Sequence, residues 1–239
     1  MRPLRFLLLL VFALSTTSCS SFFRRSGLDS LPGGRISELE PHEPQFEHLV
    51  IVGTNDIHGT IVPTRHRTKE PEGQTRIDYT RGGLAVFAGH LNILKKRYGT
   101  RLLYLDAGDE FQGSIESNIG EGAPLVSFFN GVGLNAATLG NHEFDFGPVG
   151  PHPIPSPGED PRGALRARMA EARYPYLASN LVEEKTNRPP DLPNLFADRI
   201  YQLGRVKVGV FGLMTSETPS TTRAENFSGY RIANLANAA

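Results

Sequence analysis

The chain has 239 residues, of which 39% are hydrophobic and 21% are charged, with 25 basic and 25 acidic side chains. This composition is typical of a globular protein and excludes an intrinsically disordered chain. A formal net charge of zero gives no electrostatic basis for binding a nucleic-acid polymer, and a single cysteine excludes a disulfide within the chain.

The amino terminus has the pattern of an export signal over residues 1–18. Arg2 and Arg5 precede an apolar run at 6–14, and small residues then lead to Cys19. The run is too short to span a bilayer as a helix.

Two interpretations of Cys19 stay open. A lipid-modified cysteine would anchor the mature chain to a bacterial envelope, whereas an incidental cysteine would lie beside a cleaved signal. We expect an exported protein of the periplasm or cell envelope.

Residues 19–46 are predicted to be a flexible tether, because they combine serines, paired glycines and prolines without a sustained period. Ordered structure is expected from His48 onward. The remaining domain is therefore predicted to cover residues 47–239.

Beyond the tether, short apolar runs alternate with amphipathic segments. Strands are predicted at 49–52, 102–105, 136–139, 176–181, 200–203 and 206–213, and helices at 82–98, 124–130 and 163–173. A hairpin turn is predicted at Gly204 and Arg205, loops at 63–81 and 148–161, and the approach to another helix at 230–239. Alternating strands and helices predict an α/β fold.

Residues of metal-ligand types follow each of the first three strands. Asp56 and His58 follow the first strand, Asp109 the second, and Asn141 and His142 the third. Ligand groups in α/β sheets collect beyond the carboxyl ends of the strands, and residues two apart in extended backbone point to the same side. Each motif alone also fits a solvated turn, whereas the three together favour a metal or catalytic site. Oxygen and nitrogen donors favour zinc, manganese or iron over calcium.

These motifs resemble the signature of the calcineurin-like metallophosphoesterases, and more narrowly its exported bacterial 5′-nucleotidase branch. The resemblance is carried by TNDIHG at 54–59, RGGLA at 81–85, DAGD at 106–109, NHEFDFG at 141–147, SN at 179–180 and VKVGVFGL at 206–213. The resemblance implies a four-layer α/β/β/α sandwich, of which residues 47–239 would form the amino-terminal part, incomplete at the carboxy terminus.

The resemblance also implies two divalent metal ions, zinc, manganese or a similar metal. Asp56 and His58 would bind the first ion, Asp109 would bridge both, and Asn141 would bind the second. The implied substrate is a nucleotide or another phosphate ester, hydrolysed by metal-activated water.

The same resemblance assigns roles around the third strand. His142 would contact the phosphoryl group under attack, and Asp145 would orient and charge its imidazole. Glu143 is expected to be mostly structural, and Phe144 and Phe146 are expected to pack beneath the turn.

The sequence departs from the family's pattern beyond His152, after which no histidine follows. Family members continue into further histidine ligands and a substrate-binding carboxy-terminal domain, so a missing half or a separate chain is expected, with weak metal retention and little activity in isolation. Three hypotheses stay open: a nucleotide phosphoesterase, a sulfur-ester hydrolase of the related sulfur-oxidation branch, and a truncated, weakly active or inactive fragment.

Overall fold

The computed structural model describes residues 46–67 and 78–234. The predicted export signal, Cys19 and the tether up to residue 45 lie outside the described residues. The chain divides into two units, Met1–Glu47 and His48–Ala239, and every helix and strand below belongs to the second. Within the described ranges, no helix has the length and apolar character that crossing a membrane would need.

The described residues form eleven strands and six α-helices. In chain order these are β1 (Val50–Thr54), β2 (Thr64–Arg67), β3 (Asp78–Arg81), α1 (Leu84–Tyr98), β4 (Leu102–Asp106), α2 (Ile115–Asn118), α3 (Ala123–Val132), β5 (Ala136–Thr138), α4 (Gly163–Glu171), β6 (Tyr176–Leu177), β7 (Leu181–Glu183), β8 (Leu195–Phe196), β9 (Asp198–Leu203), β10 (Val206–Phe211), α5 (Thr218–Thr221), α6 (Ala224–Phe227) and β11 (Tyr230–Ile232). Short 3-10 helices cover Gly99–Arg101 and His142–Phe144.

The central sheet has five parallel strands in the order β1, β4, β5, β6, β8. Thr54 pairs with Asp106 across β1 and β4, so these two strands end at the same level. Strand β4 lies in the interior, since Leu103 and Tyr104 are both 0% exposed. The mixed α/β class with a parallel sheet, predicted from the alternating pattern, is confirmed. The carboxyl ends of β1, β4 and β5 therefore meet at one edge.

Helices α1, α3 and α4 each bury apolar residues in a common core with the sheet, and α3 contacts both other helices. The ring of Phe129 from α3 packs against Tyr104 of β4 and, edge to face, against Tyr174. Leu91 of α1 and Met169 of α4 are almost completely buried in the same core. Each such side chain contributes about 1.5–3 kcal/mol by leaving water. This packing fixes the strands whose ends carry the polar motifs.

Three of the sequence-based assignments differ from the structure. The predicted loop at 63–81 contains the hairpin of β2 and β3, whose partners are polar: Asp78 pairs with Arg65 at 3.2 Å and Arg67 at 3.1 Å. These strands lack the apolar alternation that marks burial. Residues 230–239 were expected to lead into a helix. This prediction was wrong for the first residues of that range, which form β11 and pair with β7. The single strand at 176–181 is two strands, β6 and β7. By contrast, the hairpin turn at Gly204 and Arg205 is confirmed between β9 and β10.

Candidate metal centre and active site

The loops that follow β1 and β4 run side by side beyond the sheet. The backbone N–H of Asp56 donates to the carbonyl of Gly108, and that of His58 donates to the carbonyl of Asp109, each at 3.0 Å. The pairing of the two strands thus continues into their loops. This backbone ladder brings the polar residues after β1 beside those after β4.

Asp56, His58 and Asp109 each place one ligand atom within 4.8 Å of the others. Nε2 of His58 lies 3.6 Å from Oδ1 of Asp56. All three residues have left-handed backbone, with φ of 50°, 48° and 59° respectively. A non-glycine residue in this region costs of order 1–3 kcal/mol, and such strain concentrates at functional sites. The side chains therefore converge through a left-handed turn and not, as expected from the sequence, through extended backbone.

Hydrogen bonding fixes the tautomer of His58. Its Nδ1 lies 2.9 Å from the carbonyl oxygen of Gln112. A carbonyl only accepts hydrogen bonds, so in the neutral ring Nδ1 carries the proton and Nε2 has the lone pair. This arrangement is the usual one for an imidazole that ligates a metal. Two carboxylates and one imidazole nitrogen fit a divalent ion such as zinc or manganese, so the chemistry of the donors suits the implied metal.

Glu143 connects the loop after β5 to the loop after β4. Its buried carboxylate accepts hydrogen bonds from the backbone N–H groups of Gly140 at 2.7 Å, Asp109 at 3.0 Å and Glu110 at 2.7 Å. Burial, and secondarily the charge of Asp109, raises the pKa of Glu143 to about 7. Glu143 makes the structural contacts that its expected role requires.

Gly108 allows the two loops to approach closely. Its φ is 94°, and a Cβ at this position would lie 2.6 Å from the backbone nitrogen of Gly140. Only glycine combines this backbone conformation with so short a separation. The DAGD motif therefore needs its glycine for the close contact of two backbones.

His142 lies beside the three-residue group, and Asn141 precedes it in the chain. The backbone N–H of His142 donates to Oδ1 of Asp109 at 3.0 Å. The Asn141 side-chain amide donates to the carbonyl of Thr221 at 3.0 Å. This bond leaves the amide oxygen of Asn141 as a neutral donor atom of the type that metals accept.

His142 and Asp145 form a hydrogen-bonded pair. Nδ1 of His142 lies 2.6 Å from Oδ2 of Asp145, so the imidazole proton on Nδ1 points to the carboxylate. The His142 ring meets the His58 ring edge to face, with centroids 4.8 Å apart. The pair thus lies against the candidate metal ligands, with Nε2 of His142 left available to a further partner.

Two buried carboxyl groups near the same loops were not singled out from the sequence. Asp106 accepts hydrogen bonds from the Thr54 hydroxyl at 2.5 Å and the Gly108 N–H at 2.8 Å, and burial raises its pKa to about 6. Glu110 is fully buried, Tyr176 donates to it at 3.3 Å, and burial raises its pKa well above the ordinary range. The sequence did contain a pattern that could have identified them. Asp106 belongs to the DAGD motif and Glu110 follows it, but only the last residue of that motif was considered as a functional residue.

Distant residues also contribute to the site. The Thr222 hydroxyl donates to Oδ1 of Asp145 at 3.1 Å, across 77 positions of sequence. Nothing in the local sequence indicates this contact. A cavity of about 410 Å³ adjoins Asp145, and Asn118, Phe146 and Arg223 contribute to its lining. The cavity gives access to the side of the His142–Asp145 pair.

Several proteins are similar to this chain. A snake venom 5′-nucleotidase from Gloydius brevicauda is 31% identical over 171 residues, which are 72% of this chain and 26% of that protein. Among solved structures, a 5′-nucleotidase precursor from Thermus thermophilus matches with a TM-score of 0.60 and 25% identity, covering 80% of this chain and 32% of the other. The calcineurin-like phosphoesterase YfkN from Bacillus subtilis shares the fold, with a TM-score of 0.54 at 21% identity over 80% of this chain and 55% of its own.

No protein-family model matches the sequence. The chain spans about a quarter of the length of the curated relatives it matches, and the match to them extends over 72% of its own residues. All six motifs that suggested this relationship lie within the described part of the chain, and three of them follow the ends of β1, β4 and β5. The chain is therefore homologous to one part of the 5′-nucleotidases, and its fold is that of the calcineurin-like phosphoesterases.

Proposed function

We propose that the chain provides the metal-binding part of an enzyme that hydrolyses phosphate monoesters of nucleotides. One observation carries this proposal: three ligand atoms from Asp56, His58 and Asp109 lie within 4.8 Å of one another, and the His142–Asp145 pair adjoins them. The homology with 5′-nucleotidases supports a nucleotide as the substrate.

Asp56 and His58 are assigned to a first divalent ion, Asp109 to both ions, and Asn141 to a second. The fixed tautomer of His58 supports its part, because its Nε2 lone pair is free. Asp109 has two carboxylate oxygens, whereas an imidazole nitrogen can hold only one ion. Bound divalent ions would supply Lewis-acid stabilisation of phosphoryl oxygens and activation of water.

His142 is assigned to the phosphoryl group. Its Nδ1 proton is held by Asp145, so a protonated ring carries its second proton on Nε2. That proton can be donated to a phosphoryl oxygen on which negative charge increases during the reaction. Asp145 thereby orients the ring through Nδ1. The cavity of about 410 Å³ beside Asp145 offers space for the leaving group.

We further propose that residues 1–18 are removed on export and that lipid on Cys19 retains the chain at the cell envelope, with residues 19–46 as a tether. The sequence pattern alone supports this part. Fractionation of cells that express the full chain and a Cys19→Ala variant tests it. The unchanged chain is expected with membranes, and the variant in the soluble periplasmic fraction; equal distribution would contradict a lipid anchor.

Metal content and hydrolysis of the purified chain test the catalytic proposal. Zinc and manganese are titrated into metal-free protein, followed by assays with 5′-AMP, a cyclic nucleotide and a thiosulfonate. Weak but saturable metal binding that Asp109→Asn weakens further, together with slow 5′-AMP hydrolysis, is the expected result. Asp191→Asn is the matched control, because that carboxylate is exposed and does not belong to the loops after β1, β4 and β5. Thiosulfonate hydrolysis without 5′-AMP hydrolysis would favour the sulfur-ester hypothesis, and absent metal binding would favour an inactive fragment.

A further inference from the structure

Both carboxylate oxygens of Asp145 are hydrogen-bonded. Oδ2 accepts from Nδ1 of His142 at 2.6 Å, and Oδ1 accepts from the Thr222 hydroxyl at 3.1 Å. The Asp145 side chain is only 19% exposed, so little water competes for these positions. A carboxylate held at both oxygens cannot rotate about its Cβ–Cγ bond without breaking one of the two bonds. Thr222 therefore restricts the group that orients His142.

Thr222 occupies a fixed place because the chain around it is attached on both sides. The preceding carbonyl, of Thr221, accepts from the Asn141 amide at 3.0 Å. Four residues after Thr222, the amide of Asn226 donates to the carbonyl of Phe144 at 2.6 Å, and Asn226 is 1% exposed. The segment that carries Thr222 is thus bound to the turn of residues 141–145 independently of the Thr222 hydroxyl.

Packing also holds this segment in place independently of the Thr222 hydroxyl. The ring of Phe227 contacts that of Phe144 edge to face, with centroids 5.0 Å apart, and both side chains are buried. Such aromatic contacts contribute about 0.5–1.5 kcal/mol beyond the burial of their area. The segment keeps this contact and the Asn226 hydrogen bond when the Thr222 hydroxyl is removed. Loss of that hydroxyl therefore acts mainly on Asp145 and leaves the fold in place.

We infer that Thr222 is a positioning residue for the His142–Asp145 pair, holding Asp145 so that His142 keeps its proton on Nδ1 and presents Nε2. This inference rests on the proposed function, in which Nε2 faces the phosphoryl group. Thr222 also contributes to the lining of the cavity beside Asp145, and its proposed role is exerted through Asp145 and His142. A serine retains the hydroxyl, whereas valine replaces it with a methyl group of similar size and removes the donor.

The tautomer of His142 provides a test that needs no activity. Nitrogen-15 NMR of the metal-free full chain is recorded for the unchanged protein, Thr222→Val and Thr222→Ser, with His142→Gln identifying the signal among the seven histidines. In the unchanged chain and Thr222→Ser, we expect Nδ1 to be protonated. In Thr222→Val, we expect a measurable share of the Nε2–H tautomer. Identical His142 signals in the valine variant and the unchanged chain would overturn the inference.

Two controls keep this test interpretable. Ser220→Ala removes a neighbouring hydroxyl that bonds only the Glu217 carbonyl, and the His142 signal should not change. If circular dichroism shows that Thr222→Val does not fold, Thr222→Ala replaces it in the test. Thr222→Ala should also increase the share of the Nε2–H tautomer of His142. A change in the His142 signal in Ser220→Ala as large as that in Thr222→Val would also contradict a specific role.

Kinetics separate this inference from the proposed function. With 5′-AMP and added metal, Thr222→Val should lower kcat by roughly tenfold with KM nearly unchanged, and Thr222→Ser should restore kcat, because orientation of a catalytic group affects the transition state more than substrate binding. If Thr222→Val shifts the His142 tautomer but the chain hydrolyses no substrate, the positioning role is supported and the proposed function is rejected. If the chain hydrolyses 5′-AMP and Thr222→Val leaves kcat unchanged, the proposed function is supported and the positioning role is rejected.

Discussion

The Glu143 carboxylate accepts a hydrogen bond from the backbone N–H of Asp109 at 3.0 Å. A residue after the third strand thereby fixes the backbone of a candidate metal ligand after the second. The same carboxylate also binds the N–H groups of Glu110 and Gly140, and it is 1% exposed. The geometry of the candidate site therefore depends on a buried group that is itself no ligand.

Replacement of Glu143 by alanine should destabilise the protein strongly. The change leaves several buried N–H groups without an acceptor, and each costs about 1–3 kcal/mol. We expect the free energy of unfolding in urea to fall by about 3 kcal/mol or more. Glu116→Ala is the control, because this glutamate is exposed on α2 and its loss should change the value by less than about 0.5 kcal/mol. Equal effects of the two variants would contradict the structural role of Glu143.

Gly108 and Gly89 should respond in opposite directions to alanine. At Gly108 the left-handed φ of 94° and the 2.6 Å approach to Gly140 leave no room for a Cβ, so we expect a loss of about 1–3 kcal/mol in the free energy of unfolding. Gly89 lies in α1 with open space around its Cβ position, and alanine should stabilise there by about 0.5–1 kcal/mol. Thermal and urea unfolding measure both, and stabilisation by Gly108→Ala would refute the close-approach argument.

The sequence predicted the strands and the helix whose apolar residues form a run or a regular stripe, including β1, whose Ile51 is 47% exposed. The apolar runs at 49–52, 102–105 and 136–139 correspond to β1, β4 and β5, and the stripe at 82–98 corresponds to α1. These patterns are informative because each buried face must be apolar. The hairpin of β2 and β3 escaped prediction since charge pairs and not burial join its strands.

For the candidate site, the sequence indicated which residues meet but not how they meet. Asp56, His58 and Asp109 were expected together because parallel strands end at one edge, and their ligand atoms do lie together. Their left-handed backbone depends on contacts with the neighbouring loop, which no local pattern encodes. The contact of Thr222 with Asp145 joins residues 77 positions apart, so it required the folded chain.

Metal binding and turnover should respond differently to changes at Asp109 and His142. Asp109→Asn removes a charged ligand and should lower zinc or manganese affinity by about 100-fold or more, because even the loss of a group that only supports a ligand costs about tenfold to 100-fold. His142→Ala should leave the metal content nearly intact and lower turnover by about 100-fold or more, because it removes a group that acts on the phosphoryl oxygens. Elemental analysis and steady-state kinetics on the same preparations measure both quantities. Loss of metal from His142→Ala would contradict the assigned role.

Asp106 should make the metal-free protein less stable as pH rises. Burial raises the pKa of this carboxyl from 3.8 to about 6, so the folded state binds more protons than the unfolded state between those values. Its contribution is fully present below pH 3.8 and is lost as pH rises through about 6.

The Asp106→Asn variant isolates this contribution. Its side-chain amide occupies the same buried position as the carboxyl group but does not titrate. Urea unfolding in the presence of a chelator, at pH 4.5 and pH 8, gives the free energy of unfolding of both proteins. We expect the stability of the unchanged protein relative to the variant to fall by about 2 kcal/mol over this interval. A relative stability that rises with pH would mean that the ionised carboxylate is the favoured form, through its bonds with Thr54 and Gly108.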